Sequence, residues 1–418
     1  MWQIRNSIPK FLWPNPVRWA DDMSEPDFPE PEVDVSAIQP ERLRERIDAG
    51  DGVTILDVRV ASEFDEWAIG GEDVTVANVP YFEFLDGIDD DLLERVPDGD
   101  PVVVVCAKGG ASDYVAGLLV EVEVDAVNLA EGMNGWASIY DAVEVTRYDG
   151  PGTVYQYQRP SSGCLSYLVV DGDEAAVIDP LRAFADRYLE DAASHGADLV
   201  YAFDTHVHAD HVSGVRVLDD EGVRGVIPDG AVDRGVTYAD DLVTAEDGDA
   251  LAVGEATIDA VYTPGHTSGM TSYLVGDSLL ATGDGLFTES VARPDLEEGD
   301  DGAPEAARQL YESLQERVLA LDDDVLVGGA HVSDAAEPAA DGTYTAPIGD
   351  LVAQMDALSM DEESFVELVL SDMPPRPANY EDIIATNLGQ QEADDEEAFT
   401  LELGPNNCAA SQEALTGD

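Results

Sequence analysis

A chain of 418 residues exceeds one ordinary core and points to two or three domains of roughly 100–200 residues each. Its 89 acidic residues against 20 basic ones leave a net charge of −69 spread along the whole length, which excludes a phosphate-backbone partner, because nucleic-acid binders present a basic face. An apolar content of 44% excludes a mainly disordered chain, and no apolar run is long enough to span a bilayer.

Charge of one sign on that scale repels itself and destabilises a compact state at low salt. At molar ionic strength the Debye length falls to about 3 Å and the repulsion is screened, so the composition predicts a salt-adapted, cytoplasmic protein. Lysine is confined to Lys10 and Lys108. The three cysteines, Cys106, Cys164 and Cys408, are too few for a disulfide framework and fit a reducing compartment.

In chain order, residues 1–33 read as an arm and linker. The first twenty carry Arg5, Lys10 and Arg18 with no acid, but prolines interrupt them and no h-region follows, so the stretch is not a signal peptide. It reads either as a surface arm or as an extension upstream of initiation at Met23. Strands at Thr54–Val58, Val102–Cys106 and Ala126–Ala130 then alternate with helices at Glu41–Ala49, Phe82–Val96 and Ser112–Glu121. That alternation predicts a helix-covered parallel sheet over residues 34–150, closed by the Asp-Gly-Pro-Gly stretch at 149–152.

The second unit, 151–332, opens with consecutive strands at Thr153–Gln158, Leu165–Val170 and Glu174–Ile178. A helix at Ala183–His195 and a strand at Leu199–Phe203 follow, then strands at Ala256–Tyr262, Thr271–Val275 and Leu279–Ala281. The pattern predicts a layered α/β sandwich. Residues 333–418 read as a C-terminal segment packing on this unit, with helices near Ile348–Leu358 and Glu362–Leu370 and an acidic tail.

Five of the six histidines fall in short segments that punctuate the second unit. One is Thr205-His206-Val207-His208-Ala209-Asp210-His211, directly after an apolar strand; the others are Pro264-Gly265-His266, Thr282-Gly283-Asp284-Gly285 and Gly328-Gly329-Ala330-His331. A lone His or Asp on such a loop is ordinarily a cap or a turn residue. Seven at strand ends make a ligand set, since imidazole and carboxylate suit iron and zinc and neighbouring glycine lets backbone approach closely.

The His-x-His-x-Asp-His pattern, followed by His, Asp and His after further strands, resembles the metallo-β-lactamase superfamily from about residue 152 to 332. The resemblance implies an αβ/βα sandwich with the site at one edge. Members with two metals imply His206, His208 and His266 for one ion, Asp210, His211 and His331 for the other, and Asp284 as a bridge. The branch that resembles persulfide dioxygenases implies a single ferrous ion on His206, His266 and Asp284 alone. Two histidines and one carboxylate leave open coordination positions, and His208, Asp210, His211 and His331 would then orient the ligands. Both ligand sets are present, so one Fe(II) per chain and two Zn(II) both stay open. Arg293-Pro294-Asp295 resembles an Arg-x-Asp element that supports the site in that branch, the plain alternative being a surface ion pair. The stretches Asp372–Pro377 and Ala385–Gly389 also resemble its C-terminal segment.

Residues 34–149 resemble a rhodanese domain. Leu56-Asp57-Val58-Arg59 with Glu63-Phe64 matches its entry motif, and Leu129, Gly132, Gly135 and Trp136 match its exit motif. Between them Cys106 ends an apolar strand and Ala107–Ser112 leads into a helix. Such a loop points N–H groups at the sulfur, and with Lys108 it favours a nucleophilic thiolate able to carry a persulfide. A cysteine at a strand end is otherwise a small buried hydrophobe. Ala111 stands where the family often has Arg, and Ala68-Ile69-Gly70-Gly71 replaces its His-Ile-Pro-Gly, which favours persulfide over thiosulfate as sulfur donor. Cys164 reads as core filler and Cys408 as inert.

Together the two resemblances imply an enzyme of sulfur metabolism that oxidises a low-molecular-weight persulfide with dioxygen to sulfite and thiol, Cys106 delivering or removing sulfane sulfur. The same ligands would also serve a binuclear zinc thioester hydrolase of the hydroxyacylglutathione type. The expected partners are a small thiol or persulfide and dioxygen, with no nucleic acid and no membrane; a homodimer is implied by the family only.

Overall fold

The computed structural model describes residues 33–410 apart from 72, 334, 335, 372, 378 and 405–407. The expected N-terminal arm, Val33 aside, and the acidic tail beyond 410 lie outside the described residues, as does Asp372 of the C-terminal motif. Contacts divide the chain into Met1–Trp136 and Ala137–Asp418.

The first unit is a five-stranded parallel sheet. Its strands are β1 (Ser36–Ile38), β2 (Val53–Asp57), β3 (Val74–Asn78), β4 (Val102–Val105) and β5 (Ala126–Leu129), in the order β1-β5-β4-β2-β3. The four consecutive valines of β4 are all buried, as expected of a β-branched strand covered on both faces. The helix Gly110–Glu121 returns over the sheet and packs Val115 and Leu119 against Leu56 and Val104. The entry motif has a structural reason: Arg59 forks onto Asp57, Nη2 to Oδ2 at 2.6 Å, and its Nη2 also donates to the Trp67 carbonyl.

One helix differs from expectation. Phe82–Val96 is not a continuous helix but a short turn at Tyr81–Phe84 and a single turn at Asp90–Leu93. Gly87 between them adopts φ +93°, outside the right-handed region, and Asp89 caps the second turn through the Leu92 N–H. The boundary between the units also falls before the Asp-Gly-Pro-Gly stretch, because β6 (Asp141–Glu144) pairs with β7 (Thr153–Gln158) of the second unit.

The second unit stacks two sheets. One continues from β6 and β7 through β8 (Leu165–Asp171), β9 (Glu174–Ile178), β10 (Asp198–Phe203), β11 (Arg224–Pro228) and β12 (Val243–Ala245) in chain order. The other runs β13 (Ala250–Val253), β14 (Ala256–Tyr262), β15 (Thr271–Val275), β16 (Leu279–Gly283), β17 (Leu326–Gly329) and β18 (Ala346–Pro347). Residues such as Val169, Ile178 and Phe203 from the first sheet meet Ile258, Tyr273 and Leu279 from the second in one buried layer. The helix Ala185–Ser194 covers the first sheet, and the helices Gly299–Ser313 and Glu362–Ser371 cover the second. The result is the expected αβ/βα sandwich. Among the described residues no helix is long and apolar enough to cross a membrane.

The C-terminal segment is tied in by a buried ion pair. Arg159 Nη1 donates to Glu402 Oε2 at 2.6 Å with both side chains wholly buried, and the guanidinium lies between the rings of Phe184 and Phe399. Removing one member leaves the other charge buried and unpaired. Glu402→Ala should therefore lower the unfolding free energy of this unit by about 3–5 kcal/mol. That loss is read as an earlier guanidinium midpoint at fixed salt; an unmoved midpoint would show that solvent reaches Arg159.

Candidate active site

Four strand ends deliver the histidines and aspartates. The segment Asp204–His211 leaves β10 without regular structure, and His266, Asp284 and His331 follow β14, β16 and β17. Because β14 and β16 are both antiparallel to β15, and β16 is parallel to β17, these last three reach the same edge. Gly283, at φ +54°, allows the approach: a Cβ there would stand 2.5 Å from Thr205 Oγ1.

At the centre, Nε2 of His206 and Nε2 of His266 stand 3.6 and 3.4 Å from Oδ2 of Asp284. All three atoms are buried, and among the described residues none has a hydrogen-bond partner. Orphaned polar atoms of this kind cost roughly 1–3 kcal/mol each. Convergence of two imidazole nitrogens and a carboxylate oxygen is explained by a cation with ligand distances of about 2.0–2.2 Å, so the donor set fits a metal.

The tautomers agree. His266 Nδ1 lies 2.9 Å from the Arg293 carbonyl, which only accepts, so Nδ1 carries the proton and Nε2 presents its lone pair. Thr205 donates its N–H and its Oγ1–H to Asp179, at 2.7 and 3.0 Å, leaving Oγ1 to accept from His206 Nδ1 at 2.9 Å. Burial pushes both imidazoles below their ordinary range, well below for His206, and raises the Asp284 carboxyl. Neutral rings are the ligand form.

The remaining four residues each engage another group, while His208 Nδ1, Asp210 Oδ1 and His211 Nε2 are buried without a hydrogen-bond partner among the described residues. His208 Nε2 bonds Asp179 at 3.1 Å; burial opposes its charge, but Asp179 outweighs it and pushes His208 up to about 10. Asp210 Oδ2 is the hub of the rest, 3.2 Å from His211 Nδ1 and 3.1 Å from His331 Nε2, and it also accepts from Cys164 Sγ at 3.1 Å. His331 stands between carboxylates, its Nδ1 3.2 Å from Asp284 Oδ1. Burial opposes its charge as well, yet Asp284 and Asp210 raise it above the ordinary range.

The structure adds residues that the sequence pattern does not carry. Cys164 is not mere filler, since its thiol donates to Asp210 and burial pushes it well above the usual range. Cys408, expected to be inert, is buried with its sulfur close to both Asp210 and His331. Asp179 anchors both His208 and Thr205 from a left-handed conformation, φ +53°. Position alone, at the end of β9, was its only signal. The sixth histidine, His195, lies elsewhere, stacked on Tyr155 at 4.7 Å.

Arg293 and Asp295 form no surface pair. Arg293 is 1% exposed, its Nε donates to Asp295 Oδ1 at 2.7 Å, and its carbonyl fixes His266. Burial opposes the Asp295 charge, but Arg293 and Arg376 hold it below the usual carboxylate range.

In the first unit Cys106 is 3% exposed at the end of β4. Gly109 N–H and Ser112 Oγ each lie 3.1 Å from its sulfur, and Ser112 is held by Asn128 at 2.7 Å. The exit motif closes this loop: Met133 N–H donates to the Cys106 carbonyl at 2.8 Å, and a Cβ on Gly132, at φ +58°, would stand 2.2 Å from that oxygen. Lys108 is exposed on the same loop.

Comparison with known proteins agrees with both folds. Residues 160–331 match the model of the metallo-beta-lactamase superfamily, and residues 39–139 match the rhodanese-like domain. The mitochondrial persulfide dioxygenase ETHE1 of Mus musculus is 32% identical over 186 residues, which cover 43% of this chain and 68% of that protein. A hydroxyacylglutathione hydrolase of Synechococcus is 36% identical over 156 residues, 36% of this chain and 60% of that protein. A crystal structure of a metallo-beta-lactamase from Staphylococcus aureus superposes with a TM-score of 0.51 at 24% identity, covering 56% of this chain and 72% of that one. The chain belongs to the metallo-β-lactamase superfamily, with a rhodanese-like domain preceding that fold in the sequence.

Proposed function

We propose that this enzyme oxidises a low-molecular-weight persulfide with dioxygen, using one ferrous ion held by His206, His266 and Asp284. The observation that carries the reading is the convergence of those three unpartnered donors on one point, while Asp210 Oδ2 is taken up by His211 Nδ1 and His331 Nε2. Two histidines and a carboxylate are the ligand set of non-haem iron oxygenases. When bound, the ion supplies the redox chemistry that dioxygen needs and a place where dioxygen and the sulfane sulfur meet.

The overall change balances as R–S–S⁻ + O₂ + H₂O → R–SH + SO₃²⁻ + H⁺. Sulfane sulfur loses four electrons to dioxygen, and water supplies the third oxygen. The chain's own residues hold the geometry. The Arg293 carbonyl and Thr205 fix the two imidazole rings, and burial keeps them neutral. The similarity to a persulfide dioxygenase supports the substrate class.

Cys106 would exchange sulfane sulfur with the same pool. Attack of its sulfur on R–S–S⁻ forms one S–S bond and breaks another, releasing R–S⁻ and leaving a persulfide on Cys106 with no net redox change. Gly109 N–H faces the sulfur and stabilises negative charge on it. A salt-adapted cytoplasm is the setting the charge supports.

The similarity to a hydroxyacylglutathione hydrolase favours a second reading, a binuclear zinc thioester hydrolase. Oxygen uptake with glutathione persulfide in high salt separates the two. The first reading expects one sulfite per dioxygen consumed, and thioester cleavage without oxygen uptake would replace it with the second.

A further inference from the structure

The ligand loop depends on groups far away in sequence. Between His208 and Ser213, four backbone groups are satisfied by side chains of the C-terminal segment. Asn387 Nδ2 donates to the carbonyls of His208 and His211, at 3.0 and 2.8 Å, and Asn387 Oδ1 accepts from Ser213 N–H at 2.9 Å. Glu402 Oε1 accepts from Val212 N–H at 2.9 Å. Buried backbone groups without a partner are costly, so a loop outside any ladder takes the shape its side-chain partners dictate.

Asn387 is itself held firmly. It ends the helix Tyr380–Asn387 and is 5% exposed; its carbonyl accepts from Tyr238 Oη at 2.5 Å, and the next carbonyl, of Leu388, accepts from Thr237 N–H at 2.9 Å. One amide, donating twice and accepting once, pins the loop at both ends of His208–Ser213. A carboxylate could accept but not donate there.

We infer that Asn387 is a positioning residue for the metal centre: its amide sets the course of the loop that follows His206 and carries His208 and His211, although among the described residues it has no hydrogen bond to a donor atom of the triad. The inference rests on the reading that His206, His266 and Asp284 hold a metal. It does not depend on which reaction follows. Residues that orient ligands from outside typically change metal affinity by about 10–100-fold when replaced.

The test is titration of the full-length metal-free protein with Co(II) alone in high salt, following the visible ligand-field spectrum. In Asn387→Asp, affinity should fall about 10–100-fold and the spectrum should change shape. Thr386→Val is the control, since Thr386 is buried in the same helix, its hydroxyl donates to the Asp382 carbonyl of that helix, and among the described residues its side chain has no hydrogen bond to the loop. It should lower the thermal midpoint while leaving affinity and spectrum as in the wild type. Asn387→Ser carries the same expectation as Asn387→Asp and serves if the added charge prevents folding. Wild-type affinity and spectrum in the Asn387 variants would overturn the inference, as would an equal loss in Thr386→Val. A wild-type protein that binds Co(II) but does not oxidise persulfides would overturn the proposed activity and leave this test standing.

Discussion

His266→Ala should abolish persulfide-dependent oxygen uptake and reduce iron content to a small fraction of the wild-type value. The ring contributes one of the three unpartnered donors that converge in the proposed iron site, 3.4 Å from Asp284 Oδ2. Its loss leaves two ligands, so the fall in affinity should exceed the roughly 100-fold upper range for residues that merely orient a ligand. The informative partner is His211→Ala. Its Nδ1 bonds Asp210, 3.2 Å away, and it lies outside the convergent triad. It should retain iron at near-stoichiometric level, with affinity lowered by about 10–100-fold at most. Equal metal loss in the two variants, read by elemental analysis after the same purification, would argue for a centre built from both ligand sets.

Cys106→Ser should reduce sulfane-sulfur transfer to the rate of uncatalysed exchange while leaving oxygen uptake with a small persulfide within about twofold of wild type. The hydroxyl is isosteric, so the Gly109 and Ser112 contacts survive, but a neutral hydroxyl is a poor nucleophile beside a thiolate. The two readouts separate because Cys106 and the metal donors lie in different compact units. Mass spectrometry after exposure to persulfide should find the added sulfur on Cys106 in the wild type and none at position 106 in the variant. Transfer persisting in Cys106→Ser would move the carrier role to another group and reduce this loop to a structural turn.

The clustering of the histidines and aspartates was legible because they are written in short contiguous runs, each at the C-terminal end of an apolar strand. Thr205–His211 brings four candidate ligands in one stretch, and neighbouring glycine marks the close approach that Gly283 makes to Thr205. What surrounds those ligands was not legible, since Asp179, Cys164, Asn387, Glu402 and Cys408 come from distant segments and share no spacing with them. Only the fold brings Cys164 to Asp210 or Asn387 to the carbonyls of His208 and His211.

The same contrast holds for helices. Phe82–Val96 carries apolar residues at helical spacing, yet Gly87 and the Asp89 cap divide it. Gly299–Ser313 begins Gly-Asp-Asp-Gly-Ala-Pro, mostly residues of low helix propensity, and no element is expected there from the sequence. It is helical because Ala303, Ala307 and Leu310 lie on one face and are buried, Leu310 in the core shared with Leu280 and Val327 of the second sheet. Tertiary burial overrides local propensity there.

The measurement closest to the central claim is elemental analysis of protein purified anaerobically in high salt, giving metal identity and number per chain. The account predicts about one iron, held where two imidazoles and one carboxylate converge. About two zinc ions per chain would contradict it: His331 Nε2 would then exchange its hydrogen bond to Asp210 for a second ion, joined there by the unpartnered His211 Nε2 and Asp210 Oδ1.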